Sequence, residues 1–315
     1  MLNRSELIQK ISSLLSSQGF ETSDIYEQRC FDLVARKKLL LLLLKTFINV
    51  DSINESHAEE MRKISEIFLA SPIIIGEKSK NGALEEDIVY ERHGVPVICM
   101  DTLKNMLLYN EYPEVLADRG GYFVKINGNI LKEYREEYSL SLKDLADLAH
   151  VSRTTMYKYE NGTAKTNTET AMILEEILNT KITLNIDLFE PYTKTEDNTG
   201  KFQENSKKTE DLKKLGFGVV MTNKSPFDSV ATIENKKNSS LIANLENNRK
   251  PKTLEKMAIP LKDLSLITSS ESAFIINNEK FKDSIDGIPV IKSWELKEFE
   301  DSNELLKIIK ERRDN

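Results

Sequence analysis

Residues 141–162, SLKDLADLAHVSRTTMYKYENG, constrain this chain more than any other stretch, because they spell two short helices joined by a tight turn. Ser141 is placed to cap the first helix, and Asp144 completes a Ser-x-x-Asp capping box. Leu142, Leu145, Ala146 and Ala149 then recur at helical spacing on one face. His150-Val151-Ser152 forms the turn, and Ser152 caps a second helix that carries Met156 and Tyr159 inward. Two short helices crossing this closely need a small residue at Ala146 and apolar ones at Leu145, Val151 and Met156, and all four are present. The second helix is left with Arg153, Thr154, Thr155, Tyr157 and Lys158 on its outward face. These are hydrogen-bond donors and a planar ring, suited to base edges and phosphates in a major groove. Ser141, Lys143 and Ser152 at the helix starts and Lys165 beyond the second helix complete the set expected to touch DNA.

Flanking helices fit the same module: one from Ile130 to Tyr138, and one after Thr166 with a second capping box, Thr166 to Glu169. The latter carries Ala171, Ile173, Leu174, Ile177 and Leu178. The segment from about Ile130 to Leu178 resembles helix-turn-helix domains of the Cro and lambda-repressor type, through Val151-Ser152-Arg153, Tyr159-Glu160 and Gly162. The resemblance implies an all-α, DNA-binding module. The chain departs from that type twice. Ser141-Leu142 replaces the usual Thr-Gln, so a glutamine contact at the helix start is absent. His150 replaces the usual turn glycine and must take a left-handed backbone at some cost.

The rest of the chain bounds this reading. At 315 residues there is room for two or three domains. Two cysteines, Cys30 and Cys99, make no disulfide framework and have no metal-ligand spacing, so a reducing cytoplasm is the expected setting. The amphipathic start is interrupted by polar residues, which argues against a secretory signal. The apolar run Leu39 to Leu44 is far too short to span a bilayer and is expected to be a buried strand, so no membrane partner is expected. A net charge of −7 is awkward for a DNA binder, since nonspecific affinity comes from Lys and Arg neutralising phosphates. In the recognition segment, however, Arg153, Lys158 and Lys165 stand against Glu160 alone.

Before the module the sequence reads as an α/β domain (1–121), with a helix from Glu6 to Ser17 and strands at Phe31–Ala35 and Leu39–Phe47. A helix from Ala58 to Leu69, strands at Pro72–Ile75 and Gly94–Ile98, and a helix through Leu108 follow. Gly120-Gly121 closes this unit, and the turn Asn127-Gly128 leads into the helical domain (122–192). Residues 193–210 are polar and read as a linker. Beyond it, 211–315 appears as a second α/β domain that repeats the first. Gly19-Phe20 is matched by Gly216-Phe217, and Phe31-Asp32-Leu33-Val34-Ala35 by Phe227-Asp228-Ser229-Val230-Ala231. Ser71-Pro-Ile-Ile-Ile is matched by Ser272-Ala-Phe-Ile-Ile, and Gly94-Val-Pro-Val-Ile by Gly287-Ile-Pro-Val-Ile. The layout also resembles a family of archaeal proteins of about this length, described as helix-turn-helix transcriptional regulators. That resemblance rests on Cys30 to Ala35, Ser71 to Glu77 with Val89-Tyr90-Glu91-Arg92, and the central module; it implies transcriptional regulation.

A strand bearing Phe31-Asp32 followed by one ending in Lys45 also looks like the core of restriction-endonuclease-like folds. Such enzymes need an Asp on one strand and Glu-x-Lys on the next, because two carboxylates hold Mg²⁺ and the lysine assists water. Here the Glu position is Leu43, and one acid cannot build the site. In the second copy Asp228 stays, but Ile242-Ala243-Asn244 has no acid, and Glu234-Asn235-Lys236 lies too near Asp228 to reach the paired strand. Asp32 is expected to pair with Arg36, and Trp294 to be a core residue. The three histidines, His57, His93 and His150, are scattered.

The sequence therefore predicts an α+β multidomain chain: two α/β domains resembling degenerate endonuclease-like folds flank an all-α helix-turn-helix domain. Its expected role is sequence-specific regulation of transcription on double-stranded DNA, as a homodimer joined through the α/β domains. No catalytic residue, metal or cofactor is expected. The competing readings are a metal-dependent nuclease or DNA-processing protein, and an interaction scaffold that no longer binds DNA.

Overall fold

The computed structural model describes residues 3–193, 209–233, 240–245, 249–279 and 281–314. Most of the expected linker at 193–210, and Glu234-Asn235-Lys236, lie outside them. Asn3 opens helix α1 (Arg4–Ser17): its side chain accepts the Glu6 N–H, and the Glu6 side chain accepts the Asn3 N–H in return. Leu7, Ile8, Ile11 and Leu15 form the buried stripe of that helix. Strands β1 (Glu21–Thr22), β2 (Leu33–Lys37) and β3 (Leu40–Asn49) then pair antiparallel in chain order, with Leu33 opposite Leu44 and Lys37 opposite Leu40. Leu39 is not part of the expected buried strand. Lys38 turns the chain at φ 56, and Leu39 stands 95% exposed at the tip of the hairpin.

Helix α2 (Glu55–Phe68) is capped by Asn54 and buries Ala58, Met61 and Ile64. After it come β4 (Ser71–Ser79), β5 (Gly82–Ala83), β6 (Ile88–Arg92), β7 (Val95–Ile98) and α3 (Met100–Leu108). β4 pairs parallel with β7, and β7 antiparallel with β6. A strand in a parallel pair is covered on both faces, which is why Ile73-Ile74-Ile75 reads as an unbroken apolar run and is buried throughout.

β8 (Val115–Asp118) and β9 (Gly121–Ile126) form a hairpin, and the expected boundary at 121 falls at the start of β9. The helical module follows as α4 (Gly128–Glu137), α5 (Leu142–Leu148), α6 (Arg153–Glu160), β10 (Thr166–Asn167), α7 (Thr168–Leu178) and β11 (Thr183–Leu184). β10 and β11 both pair with β9, so the helices are stitched to that strand at two points. Asn127-Gly128 is a helix start rather than a free turn, since the Asn127 side chain caps α4. The second capping box is also corrected. Thr166 is buried in β10, and Asn167 caps α7 by accepting the Thr170 N–H (2.7 Å).

The carboxy-terminal part comprises α8 (Glu210–Lys214), β12 (Phe217–Met221), β13 (Ser229–Ile233), β14 (Ser240–Leu245), α9 (Pro251–Thr268), β15 (Glu271–Ile276), β16 (Ser284–Ile285), β17 (Ile288–Lys292) and α10 (Ser302–Asp314). Its sheet runs β12-β13-β14-β15-β17-β16. β12, β13 and β14 pair antiparallel in chain order, as β1, β2 and β3 do. β15 pairs parallel with β17, and β17 antiparallel with β16, as β4, β7 and β6 do. Trp294 departs from expectation: it stands exposed before a short 3-10 turn instead of in the core.

The chain divides into two compact units, Met1–Thr46 with Asn54–Pro72 and Phe189–Asn315, and Phe47–Ile53 with Ile73–Leu188. Within the first unit, corresponding elements hold one another reciprocally. Glu60 on α2 accepts the N–H groups of Asn223 (3.0 Å) and Lys224 (2.6 Å), in the loop before β13. Asp263 on α9 accepts the N–H of Asp24 (2.8 Å) and the Tyr26 hydroxyl, in the loop before β2. Burial, followed by that hydrogen bond to Asp263, pushes the Tyr26 hydroxyl well above the ordinary tyrosine range. Arg36 does not pair with Asp32. It donates instead to the Ile267 carbonyl (2.8 Å) and the Ser269 hydroxyl (2.5 Å) at the end of α9.

Glu60 is buried, and removing it strands two amide groups without an acceptor. Glu60→Ala is therefore expected to cost about 1–3 kcal/mol, the usual penalty for unsatisfied buried donors. Urea denaturation of the full chain reads this as a lower midpoint; an unchanged midpoint would mean these contacts carry no stability.

Candidate nucleic-acid interface

Both helix starts of the central module are built as their sequence dictates. The Asp144 N–H donates to Ser141 Oγ (3.1 Å), and the Ser141 N–H donates back to the Asp144 carboxylate (2.8 Å). The Ser141 side chain first, and then the Ser141 N–H, hold the Asp144 carboxyl below the ordinary carboxylate range. At α6 the Thr155 N–H donates to Ser152 Oγ (3.0 Å). Between the helices His150 takes φ 54, the left-handed value that a glycine would adopt freely. Leu131, Leu145, Ala146, Ala149, Met156, Tyr159, Leu174 and Leu178 pack into one core.

That packing fixes which way α6 faces. Met156 and Tyr159 are buried, while Arg153, Thr154, Tyr157 and Lys158 are exposed and Thr155 is half-buried. The expected contact residues at the helix starts, Ser141, Lys143 and Ser152, are exposed too. Thr155 is committed to the α6 cap, its hydroxyl lying 2.8 Å from that of Ser152. Lys165 lies past the end of α6, where its ammonium pairs with Asp118 on β8 (3.3 Å).

Two residues that sequence reasoning missed hold the recognition helix in place. Arg135 on α4 pairs with Glu160 at the end of α6 and also donates to the Leu140 carbonyl (2.9 Å). Glu160, the acid that counted against the basic face, is thus neutralised from behind. Gly128 is the second. A Cβ there would stand 2.1 Å from the Glu160 carbonyl oxygen, so only glycine lets α4 begin against the end of α6. The sequence signal was a glycine directly after a capping asparagine, which also reads as a turn.

Asp32 marks the other place where chemistry was sought. It is fully buried at the start of β2. One carboxylate oxygen accepts from Lys45 Nζ (2.7 Å) and Arg4 (2.7 Å), and the other from the Thr46 N–H (2.8 Å). Leu43, two residues before Lys45 on the same face of β3, is buried among apolar neighbours and offers no oxygen. Lys45 thus keeps the lysine of the nuclease pattern, while Leu43 replaces the second acid and Arg4 also engages the Asp32 carboxylate. The second Asp repeats the arrangement with different partners. Asp228 accepts from Arg249 on both oxygens (2.6 and 2.9 Å) and from the Leu245 N–H (2.9 Å), while Asn244 occupies the lysine position. The described residues contain no group of three or more His, Cys, Asp or Glu arranged to hold a metal ion. None of their helices is long and apolar enough to cross a membrane.

Two stretches of the chain match known protein families. Residues 4–113 match the family described as "PD-(D/E)XK superfamily domain", and residues 131–185 the family described as "Helix-turn-helix". The chain is 67% identical to a protein of Methanobrevibacter smithii, over 100% of both chains. It is 55% identical to one of Methanothermobacter thermautotrophicus (99% of this chain, 98% of that one). A third, from Pyrococcus furiosus, is 34% identical over 99% of each. All three carry the name "Putative HTH-type transcriptional regulatory protein".

The ion cluster at Asp32 makes a direct prediction. Lys45 has only 5% of its side chain exposed, so Asp32→Ala takes from a buried ammonium the carboxylate that lies 2.7 Å from it. Breaking a buried pair from one side costs about 3–5 kcal/mol. Thermal unfolding should show a large fall in Tm; a loss within experimental error would mean the pair is dispensable.

Proposed function

The chain belongs to the archaeal family of HTH-type transcriptional regulatory proteins, and on that premise we propose that it is a sequence-specific DNA-binding regulator. The observation that carries this reading is the presentation of α6: its apolar side is locked into the core while Arg153, Thr154, Tyr157 and Lys158 stand free on the other. Arg153 reads a base edge or a phosphate at the helix start, Thr154 and Tyr157 lie beside it, and Lys158 meets the backbone. Ser141, Lys143 and Ser152 border that face, and Lys165 extends it past the helix. One such helix covers few base pairs, so the protein acts as a homodimer on half-sites about one helical turn apart.

Selection of a binding site from random DNA tests the reading. Arg153→Ala should weaken binding to the selected site at least several-fold, from the roughly 1–3 kcal/mol that a bidentate arginine contact supplies, and leave Tm unmoved. Footprints should cover paired half-sites. Equal affinity of variant and wild type would remove Arg153 from the contact.

We also infer that the two α/β domains descend from one duplicated fold and that neither is an enzyme. Matching strand pairings and the matched Asp32 and Asp228 support the first half. The second rests on Leu43 at the missing acid and on carboxylates already engaged by Lys45, Arg4 and Arg249. The PD-(D/E)XK likeness supplies the rival reading, a metal-dependent nuclease. Plasmid DNA incubated with pure protein and Mg²⁺ or Mn²⁺ should stay intact; cleavage that co-purifies with the protein would restore the nuclease.

A further inference from the structure

The hairpin of β8 and β9 has details that suit a second contact with nucleic acid. Its turn is Arg119-Gly120, leading into Gly121 at the start of β9, with both glycines at positive φ (96 and 138). A Cβ on either would meet nothing within 4 Å, so conformation, not space, requires glycine there. The turn is tethered on both sides. Asp118 takes the Lys165 ammonium (3.3 Å) and the Arg119 N–H (2.7 Å), while the Tyr122 hydroxyl donates to Glu85 (2.6 Å). These tethers register as shifted acidities. The Arg119 N–H, then the bond to Lys165, hold the Asp118 carboxyl low, and the bond to Glu85 raises the Tyr122 hydroxyl to about 12.

The link through Lys165 sets the location. Lys165 lies in the segment between α6 and β10, and that segment enters the sheet beside β9. The turn that holds Lys165 is therefore fixed to the strand-side exit of the recognition helix. Arg119 stands exposed on it, and its guanidinium makes no hydrogen bond or ion pair among the described residues. An exposed cation on a tethered turn beside a groove-reading helix suits a phosphate clamp, because phosphate contacts fix register without reading bases.

We propose that the β8–β9 hairpin is a wing that grips the DNA backbone through Arg119, next to the duplex segment read by α6. The inference rests on the DNA-binding reading above. Arg119 supplies charge and position, and Arg153 supplies sequence preference, so their variants fail in different ways.

Titrating full-length protein into a fluorescent random-sequence duplex at several salt concentrations separates them. For Arg119→Ala the slope of log affinity against log salt should fall by about 0.9 per chain, one phosphate contact's worth. Affinity should drop several-fold on random and selected duplexes alike, leaving their ratio unchanged. Arg119→Lys should restore most of the slope. Arg153→Ala should instead reduce the ratio. A wild type that binds with Arg153-dependent preference, while Arg119→Ala keeps the full salt slope, overturns the wing alone. A wild type that binds no DNA overturns the wing together with the reading it rests on.

Discussion

A buried carboxylate that bridges a strand pair is the interaction on which the amino-terminal fold depends. Asp32 reaches across from β2 to the backbone of β3, and in the same step draws in Lys45 from that strand and Arg4 from α1. A sheet, its hairpin partner and the covering helix are thereby referenced to one side chain. An isolated buried anion would be prohibitively unfavourable, so the cations are a condition of its presence as much as a consequence. Asp228 does the same for β13 and β14 with Arg249.

Local features were legible from the sequence because their causes are local. The box between Ser141 and Asp144, the cap at Ser152 and the left-handed His150 each involve residues within one turn of each other. Apolar runs also placed β2, β3, β4 and β7, since burial writes itself into the residue order. Leu39 failed because a run of leucines does not show where the chain reverses, and Lys38 decides that by turning. Thr166 failed because Asn167, the residue next to it, is the better acceptor for a helix start and took the role.

Long-range partners were not legible. Arg4 was invisible as the neighbour of Asp32, and Arg36, only four positions away, left for the end of α9. Arg135 and Gly128 matter through what they meet at Glu160, which no spacing rule announces. The face of α6 was readable and its support was not. An outward face follows from periodicity, whereas its rigidity depends on contacts that only folding brings together.

The pairing of the two α/β halves has one more consequence. Aligned on the helix-ending residues Leu69 (φ 52) and Ser269 (φ 54), Glu60 corresponds to Pro260, and Asp263 to Lys63. The two sides use corresponding helices to clamp corresponding loops, yet with different residues. A homodimer with a two-fold axis cannot do this, because every substitution appears on both sides of its interface. Joining both halves in one chain lifts that restriction. It also makes their association independent of protein concentration, since each half meets the other at a fixed local concentration. Each half can then differ alone, and they do: one has lysine and arginine around its aspartate, the other a single arginine.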